Sequence, residues 1–512
     1  MSTLLQLIYA CCALALGLYT AGQATLLWRY WRTRRSATAS PPLTELPAVA
    51  VQLPLYNEAR VAGRLIDAVA AFDYPRDKLL IQVLDDSSDL TVPLVARKLT
   101  ALEARGFQVQ HIRRVDRAGF KAGALAEGMR HCQSEYLAIF DADFVPPPDF
   151  LRRALPHLLA DPGIGIVQSR WGHLNADENS LTRAQRLSID AHFVIEQAAR
   201  NRSGWLIPFN GTGGVWRRSC IEAAGGWSPE TLTEDLDLSY RAQLAGWRSQ
   251  FLPEVEVPGE IPPQLAAYKQ QQSRWATGNT QCLLKLAGPL LSSKLRLSHK
   301  IMAIQHLCQY LPQPLMLLML LLTPPLLLSG GLAGLSLAPL AIVALAPPLM
   351  YGASQMRLYG NRGALQALTA FPALLFIGTG MSLSNSLAVI AALLGIRTPF
   401  RRTPKFKRDW KRSHYALSAD HTLWLEAALM IYALWAAALA WETQRDLCPY
   451  LLIYALSFAA VAAWSLRESM DLRRLRIELG RQRRGEAAEV LRARSLAPCT
   501  RRLRYTSRKR GR

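Results

Sequence analysis

The stretch "EYLAIFDADFVPPPDF", Glu135 to Phe150, opens on an apolar run and breaks on acids. Its first half is short and apolar, so it reads as a buried β-strand. Asp141 and Asp143 stand at the strand's end. Along an extended chain, alternation places both on one side. Carboxylates so spaced can hold a hard divalent cation beside phosphate oxygens. Alone, D-x-D fits a solvated loop or a helix cap just as well.

The same pattern repeats outward in both directions. "AVAVQLPLYN", "LLIQVLDD", "FQVQHIRR" and "GIGIVQSRW" read as further short buried strands. "EARVAGRLIDAVAAF" and "AGALAEGMRHC" between them read as helices. Alternating strands and helices predict an α/β domain with a mostly parallel sheet, over residues 45–290. Ligands bind such sheets beyond the carboxyl ends of the strands. A second strand there ends on acids, Asp85 and Asp86 in "VLDDSSD". Two acid-ended strands strengthen the ligand reading of Asp141 and Asp143.

Three other local patterns bear on chemistry. "RAGFKAGAL" places Lys121 in a glycine-flanked turn entering a helix, where an ammonium and backbone amides suit a diphosphate. A plain loop lysine is the alternative. "TLTEDLDLSYRAQLAGW" opens a helix with Thr233, Glu234 and Asp235 at its start. Capping explains those residues, and so does a general base aimed into a cleft. "FNGTGGVW" reads as a flexible glycine-rich turn without Walker spacing. No G-x-G-x-x-G follows a strand and no G-x-S-x-G occurs, which excludes P-loop, dinucleotide and hydrolase-elbow readings.

Half of the 512 residues are apolar, and the apolar runs cluster. Leu4–Trp28 carries no charge and can span a bilayer. The basic "RYWRTRR" after it predicts an N-terminus outside and the α/β domain in the cytoplasm. "KLRLSHKIMAIQH" is basic and amphipathic, which predicts an interfacial helix over 291–306. Apolar runs near 308–328, 335–351, 422–441 and 450–466 predict further spans within a membrane region at 307–470. The run at 365–394 lies between two basic segments, so it is expected to lie embedded without crossing. Five spans and one embedded element result.

The net charge is +22, and residues 467–512 hold sixteen Lys and Arg against five Asp and Glu. Beside apolar spans this tail, 471–512, reads as a positive-inside cytoplasmic segment rather than a nucleic-acid arm. Eight scattered cysteines show neither a disulfide framework nor zinc-ligand spacing.

"PLYNE", "LDD", "KAG", "FDADF", "TED", Q-x-x-R-W (Gln271, Arg274, Trp275) and F-x-x-T-x-K (Phe400, Thr403, Lys405) occur in that order. Together they resemble the processive, inverting family-two glycosyltransferases of the cellulose synthase superfamily. The likeness is strongest to cellulose synthase-like A mannan and glucomannan synthases and their bacterial relatives. It implies an α/β GT-A domain inserted between transmembrane helices. It also implies a nucleotide-sugar donor, GDP-mannose or UDP-glucose, Mg²⁺ or Mn²⁺, and a growing β-glycan acceptor, with the enzyme in a lipid bilayer. By this resemblance Tyr56, Glu58 and Asp85 would hold base and ribose, with Asp86 beside them. Lys121, Asp141 and Arg274 would meet the diphosphate, and Asp143 with Asp141 the metal. Asp235, next to Glu234, would be the base, and Gln271 and Trp275 would hold the acceptor. The loop 397–412 would gate the site, although Arg402 stands where the family usually has Val.

The expected activity is polymerisation of a hexose into a β-1,4-linked polysaccharide with export. A non-processive transferase acting on a lipid acceptor is the alternative. A non-catalytic membrane protein binding lipid or nucleic acid through its basic tail is a third reading. The residues name no accessory subunit.

Overall fold

The computed structural model describes residues 2–34, 41–43, 45–332, 344–396, 398–400, 402–406, 410–413, 415–418 and 422–496, with side chains up to 477. The expected span at 335–351 lies partly outside them, as do parts of the loop 397–412 and the tail beyond 496.

A seven-stranded sheet forms the core of the α/β domain. Its strands are β1 (Val49–Leu55), β2 (Leu79–Asp85), β3 (Gln108–Ile112), β4 (Tyr136–Ile139), β5 (Ile164–His173), β6 (Gly214–Arg217) and β7 (Arg248–Gly259). They are ordered β3-β2-β1-β4-β6-β5-β7. β6 runs antiparallel to both neighbours, and the other pairs are parallel. β1, β2 and β4 are buried almost throughout, which explains their near-continuous apolar sequences.

Three glutamines set the register of one half. Gln52 pairs with Gln82, and Gln82 with Gln110, across adjacent strands. The Gln52 amide donates to Gln82 at 3.0 Å, and Gln82 donates to Gln110 at 2.7 Å. A one-residue slip would bury these amides unpaired, so the ladder opposes slippage. Strand order reverses beside β1, between β2 and β4. That switch point opens a crevice at the carboxyl ends of β1, β2 and β4.

The glycine-rich "FNGTGGVW" is not only a turn. Residues 214–217 form β6, wedged between β4 and β5. Gly214 allows it, because a Cβ there would lie 2.3 Å from the Val167 carbonyl oxygen. Four residues, GVWR, opening on a glycine carry too little alternation for a strand reading.

Apolar helices flank the domain at both ends and mark a membrane protein. Among the described residues four are long and apolar enough to cross a bilayer: Thr3–Thr33, Ala346–Gly380, Leu423–Thr443 and Arg445–Ile477. A bent pair, Leu297–Leu307 and Pro312–Leu328, makes a fifth if it is one span; its halves meet at 65°. The run at 365–394 is not one element. Its first part continues the Ala346–Gly380 helix, and Ser382–Leu393 forms a separate short helix. Within the Ala346–Gly380 stretch the basic "RLYGNRG" does interrupt the helix: Gly360 takes non-helical backbone, φ 63° and ψ −148°, and two helices meet there at a kink.

Candidate active site

The crevice collects most of the residues singled out above. Tyr56 and Glu58 follow β1, Asp85 ends β2, Asp86 follows it, and Asp141 and Asp143 follow β4. The extended geometry expected at Asp141–Asp143 does not occur. β4 stops at Ile139, and the chain turns, with the Phe144 amide donating to the Asp141 carbonyl at 3.1 Å. The turn gives the two carboxylates different partners. Asp141 Oδ1 lies 2.6 Å from Lys121 Nζ, and Asp143 Oδ2 lies 2.6 Å from Lys405 Nζ.

Lys121 enters from the start of the Phe120–Arg130 helix. The preceding turn needs left-handed backbone at Gly119, φ 70°. Lys121 also donates to the Gly211 carbonyl at 2.8 Å and stands 3.9 Å from Glu234. Burial pulls its ammonium down, but Asp141, Glu234 and Asp235 together hold it above the ordinary lysine value. It is therefore a fixed cation at the floor of the crevice.

Asp235 sits in the first turn of the Glu234–Leu244 helix. Thr233 occupies the cap position without a side-chain cap hydrogen bond, so capping alone does not account for this triplet. The Leu236 amide donates to Asp235 Oδ1 at 2.9 Å. Burial and the adjacent Glu234 push the Asp235 carboxyl up to about 7, against the pull of Lys121 and Arg274. A carboxylate tuned near neutral pH suits a general base. Gly211 makes room for it: at φ +84°, a Cβ there would lie 2.8 Å from Asp235 Oδ2.

The Asp85 and Asp86 side chains are buried and have protein partners of their own. Asp85 accepts from the Ser87 amide and meets His111 Nε2, both at 2.9 Å. Burial raises its carboxyl, but the His111 and Ser87 hydrogen bonds prevail and hold it below the usual range. Asp86 takes a bidentate grip from Arg114, at 3.0 and 2.5 Å. The Arg117 guanidinium lies 3.3 Å over the Tyr56 ring. Such a flat aromatic and cationic shelf suits a nucleobase.

The loop after the membrane helices reaches into this crevice. Phe400 stacks on Phe120 with centroids 5.0 Å apart, and Arg274 lies 5.6 Å from the Phe400 centroid. Arg402, the departure from the family pattern, pairs with Glu58 at 3.0 Å. Its carbonyl accepts from Gln270 at 2.7 Å. Burial pushes the Glu58 carboxyl up to about 7, with Arg402 opposing and Asp143 adding to the rise. Thr403 is buried next to these contacts in the chain.

Gln271, Arg274 and Trp275 share the Leu265–Ser292 helix, with Gln271 buried and Trp275 half-buried. Sequence reasoning missed Thr212, whose hydroxyl accepts from the Asp141 amide at 2.8 Å, and the roles of Arg117 and Phe120. Those roles depend on packing and have no local signature.

A divalent cation fits the carboxylates at the end of β4. Asp143 is buried and already held by a cation, the Lys405 ammonium, which a metal could replace. Among the described residues no group of three or more His, Cys, Asp or Glu could hold an ion alone. Two carboxylates suit Mg²⁺ or Mn²⁺ arriving with a diphosphate, since such ions keep phosphate oxygens as ligands.

Strand order and an acid-lined crevice at the switch point define a GT-A fold, the architecture of nucleotide-diphospho-sugar transferases. Residues 47–278 match the family described as glycosyltransferase like family 2, so the chain carries a domain of that family. It is 41% identical over 273 residues to a probable glucomannan 4-beta-mannosyltransferase 7 of Oryza sativa subsp. japonica, covering 52% of this chain and 46% of that one. It is 42% identical over 257 residues to glucomannan 4-beta-mannosyltransferase 2 of Arabidopsis thaliana, covering 49% and 48%. The match thus spans about half the length of these curated relatives. Among solved structures it is similar to the mannosyltransferase PcManGT from Pyrobaculum calidifontis in complex with GDP-Man and Mn²⁺. The TM-score is 0.54 at 22% identity, covering 77% of this chain and all of that one. That likeness shows the fold.

Proposed function

We propose that this protein is a membrane-embedded inverting mannosyltransferase that builds a β-1,4-linked polysaccharide from GDP-mannose and exports it. The observation that carries the reading is one charge cluster at the end of β4: Lys121 Nζ lies 2.6 Å from Asp141 and 3.9 Å from Glu234, whose neighbour Asp235 opens the same helix. The 4-beta-mannosyltransferase relatives and the GDP-Man complex of the fold neighbour support mannose over glucose.

Lys121 and Arg274 would meet the diphosphate and favour its departure with the charge it gains. Asp141 and Asp143 would hold Mg²⁺ or Mn²⁺. Bound there, such an ion supplies Lewis-acid neutralisation of the leaving diphosphate. Tyr56 and Arg117 offer a shelf for the base. Asp235 takes the proton from the acceptor hydroxyl as that oxygen attacks. One displacement turns an α-linked donor into a β-glycoside, so no second carboxylate is needed as nucleophile. Trp275 offers a flat face to the terminal acceptor sugar. The apolar helices beside it fit a route for product across the bilayer, with the catalytic domain on the cytoplasmic side.

Purified protein in lipid vesicles, offered labelled GDP-mannose or UDP-glucose with Mn²⁺, tests this. A mannanase-sensitive polymer from GDP-mannose is expected. Organic-extractable product carrying one sugar would replace this reading with transfer to a lipid.

A further inference from the structure

The Leu265–Ser292 helix joins two parts of the molecule. On one side it packs against the segment that leads into Asp235. A Cβ on Gly278 would lie 2.6 Å from the Thr233 side chain, so helix and segment are in intimate contact. The Leu232 amide donates to Gln281 at 2.9 Å, and Lys285 reaches Asp237 at 2.9 Å. Movement of this helix therefore moves the start of the Asp235 helix with it.

On the other side its first turns are pinned to the membrane helices. The Leu265 amide donates to Glu468 at 3.1 Å, and Gln264 exchanges two hydrogen bonds with the Leu417 backbone, at 2.6 and 3.0 Å. Lys269 Nζ lies 2.5 Å from Glu426 Oε1, in the first turn of the Leu423–Thr443 span. Thr422 donates to the same oxygen at 2.8 Å. The Lys269 and Glu426 side chains are 3% and 0% exposed. Between this pair and Gly278 lie Gln271, Arg274 and Trp275, along about 14 Å of helix at 1.5 Å per residue.

A buried ion pair is a poor way to gain stability, because desolvating both charges offsets their attraction. Apolar side chains would seal the same contact between helices. A charge pair differs in tolerating only one register. An ionisable residue in a span also marks function more often than packing.

We infer that Lys269 and Glu426 are positioning residues for sugar transfer. They lock the helix that presents Gln271, Arg274 and Trp275 to a membrane span, and so set the acceptor platform and Asp235 at a fixed distance from the bilayer. This rests on the roles given above to Asp235 and Trp275.

The test uses the full chain in lipid nanodiscs, with whichever sugar nucleotide the wild type consumes and that donor's nucleoside diphosphate, GDP for mannose, as the binding probe. The apolar double variant Lys269→Met/Glu426→Leu removes both charges and leaves none orphaned. Expected are GDP affinity within about twofold of wild type, kcat lower by about ten- to a hundredfold, and shorter products, the cost of misplacing reacting groups by an ångström. Wild-type kcat and product length in that variant would overturn the inference. If the double variant fails to bind GDP, Glu426→Asp decides, because it keeps the charge and shortens the arm by one methylene. Positioning then predicts a lower kcat at unchanged GDP affinity and apparent melting temperature, and an unchanged kcat overturns it. A wild type that binds GDP but transfers no mannose would sink the proposed function. An active wild type matched by its apolar variant sinks the positioning role alone.

Discussion

Replacing Lys405 by Met should tighten Mn²⁺ binding to the nucleotide-free protein. Lys405 Nζ lies 2.6 Å from Asp143 Oδ2, and both side chains are mostly out of water. At an effective dielectric of 20 the bare attraction over that distance is about 6 kcal/mol. Desolvation of both groups offsets most of it. What remains is the net strength of a charge-assisted hydrogen bond, about 1.5–3 kcal/mol. A metal ion must displace that bond before Asp143 is free to ligate it. Removing the ammonium should therefore strengthen binding roughly ten- to a hundredfold, since about 1.4 kcal/mol is a factor of ten. Burial holds the Asp143 carboxyl above its ordinary value, with Lys405 opposing. The variant should be titrated at pH 8, so that protonation does not mask the gain. Mn²⁺ electron paramagnetic resonance in the absence of donor gives the affinity directly. Unchanged or weaker binding in Lys405→Met would refute the competition between ammonium and metal.

Four further outcomes follow from the same site. Asp235→Asn should lower the transfer rate by about a hundred- to ten-thousandfold, the usual worth of a positioned base. GDP binding should be retained, which calorimetry checks. Because the Asp235 carboxyl is pushed up to about 7, its base form is lost as pH falls. The wild-type kcat/KM should therefore drop about tenfold per pH unit below that point. Glu234→Gln removes a charge that raises Asp235 and should move this acidic limb down, as a pH–rate profile would show. Gly211→Ala places a methyl at φ +84°, with its Cβ 2.8 Å from Asp235 Oδ2. Left-handed backbone costs alanine about 1–2 kcal/mol, so lower thermal stability and a slower rate are both expected.

Much of this site was legible locally. An apolar run ending on Asp141 and Asp143, a second ending on Asp85 and Asp86, and a glycine-flanked Lys121 each declare themselves within a few residues. Strand alternation with helices brought them to one crevice, because parallel strands share an end. The glycine-rich β6 was not legible, since its identity as a strand comes from neighbours that supply its hydrogen bonds. The turn at Asp141–Asp143 departs from the extended geometry that alternation predicts, because the end of β4 is set by its partners. The whole run at 365–394 looked like one element, because hydropathy cannot see a break between two helices of the same polarity.

The sequence by itself determined the α/β class, the acid-ended strands, the flanking apolar helices and the order of the seven motifs. These depend on short-range periodicity and composition. Tertiary structure alone decided which charges meet. Lys405 and Asp143 are 262 residues apart in the chain, Arg402 and Glu58 are 344 apart, and Lys269 and Glu426 are 157 apart. A charged residue carries no mark of its partner. Its pairing follows from where the sheet, the membrane helices and the loop come to rest, and that depends on burying apolar surface across the whole chain.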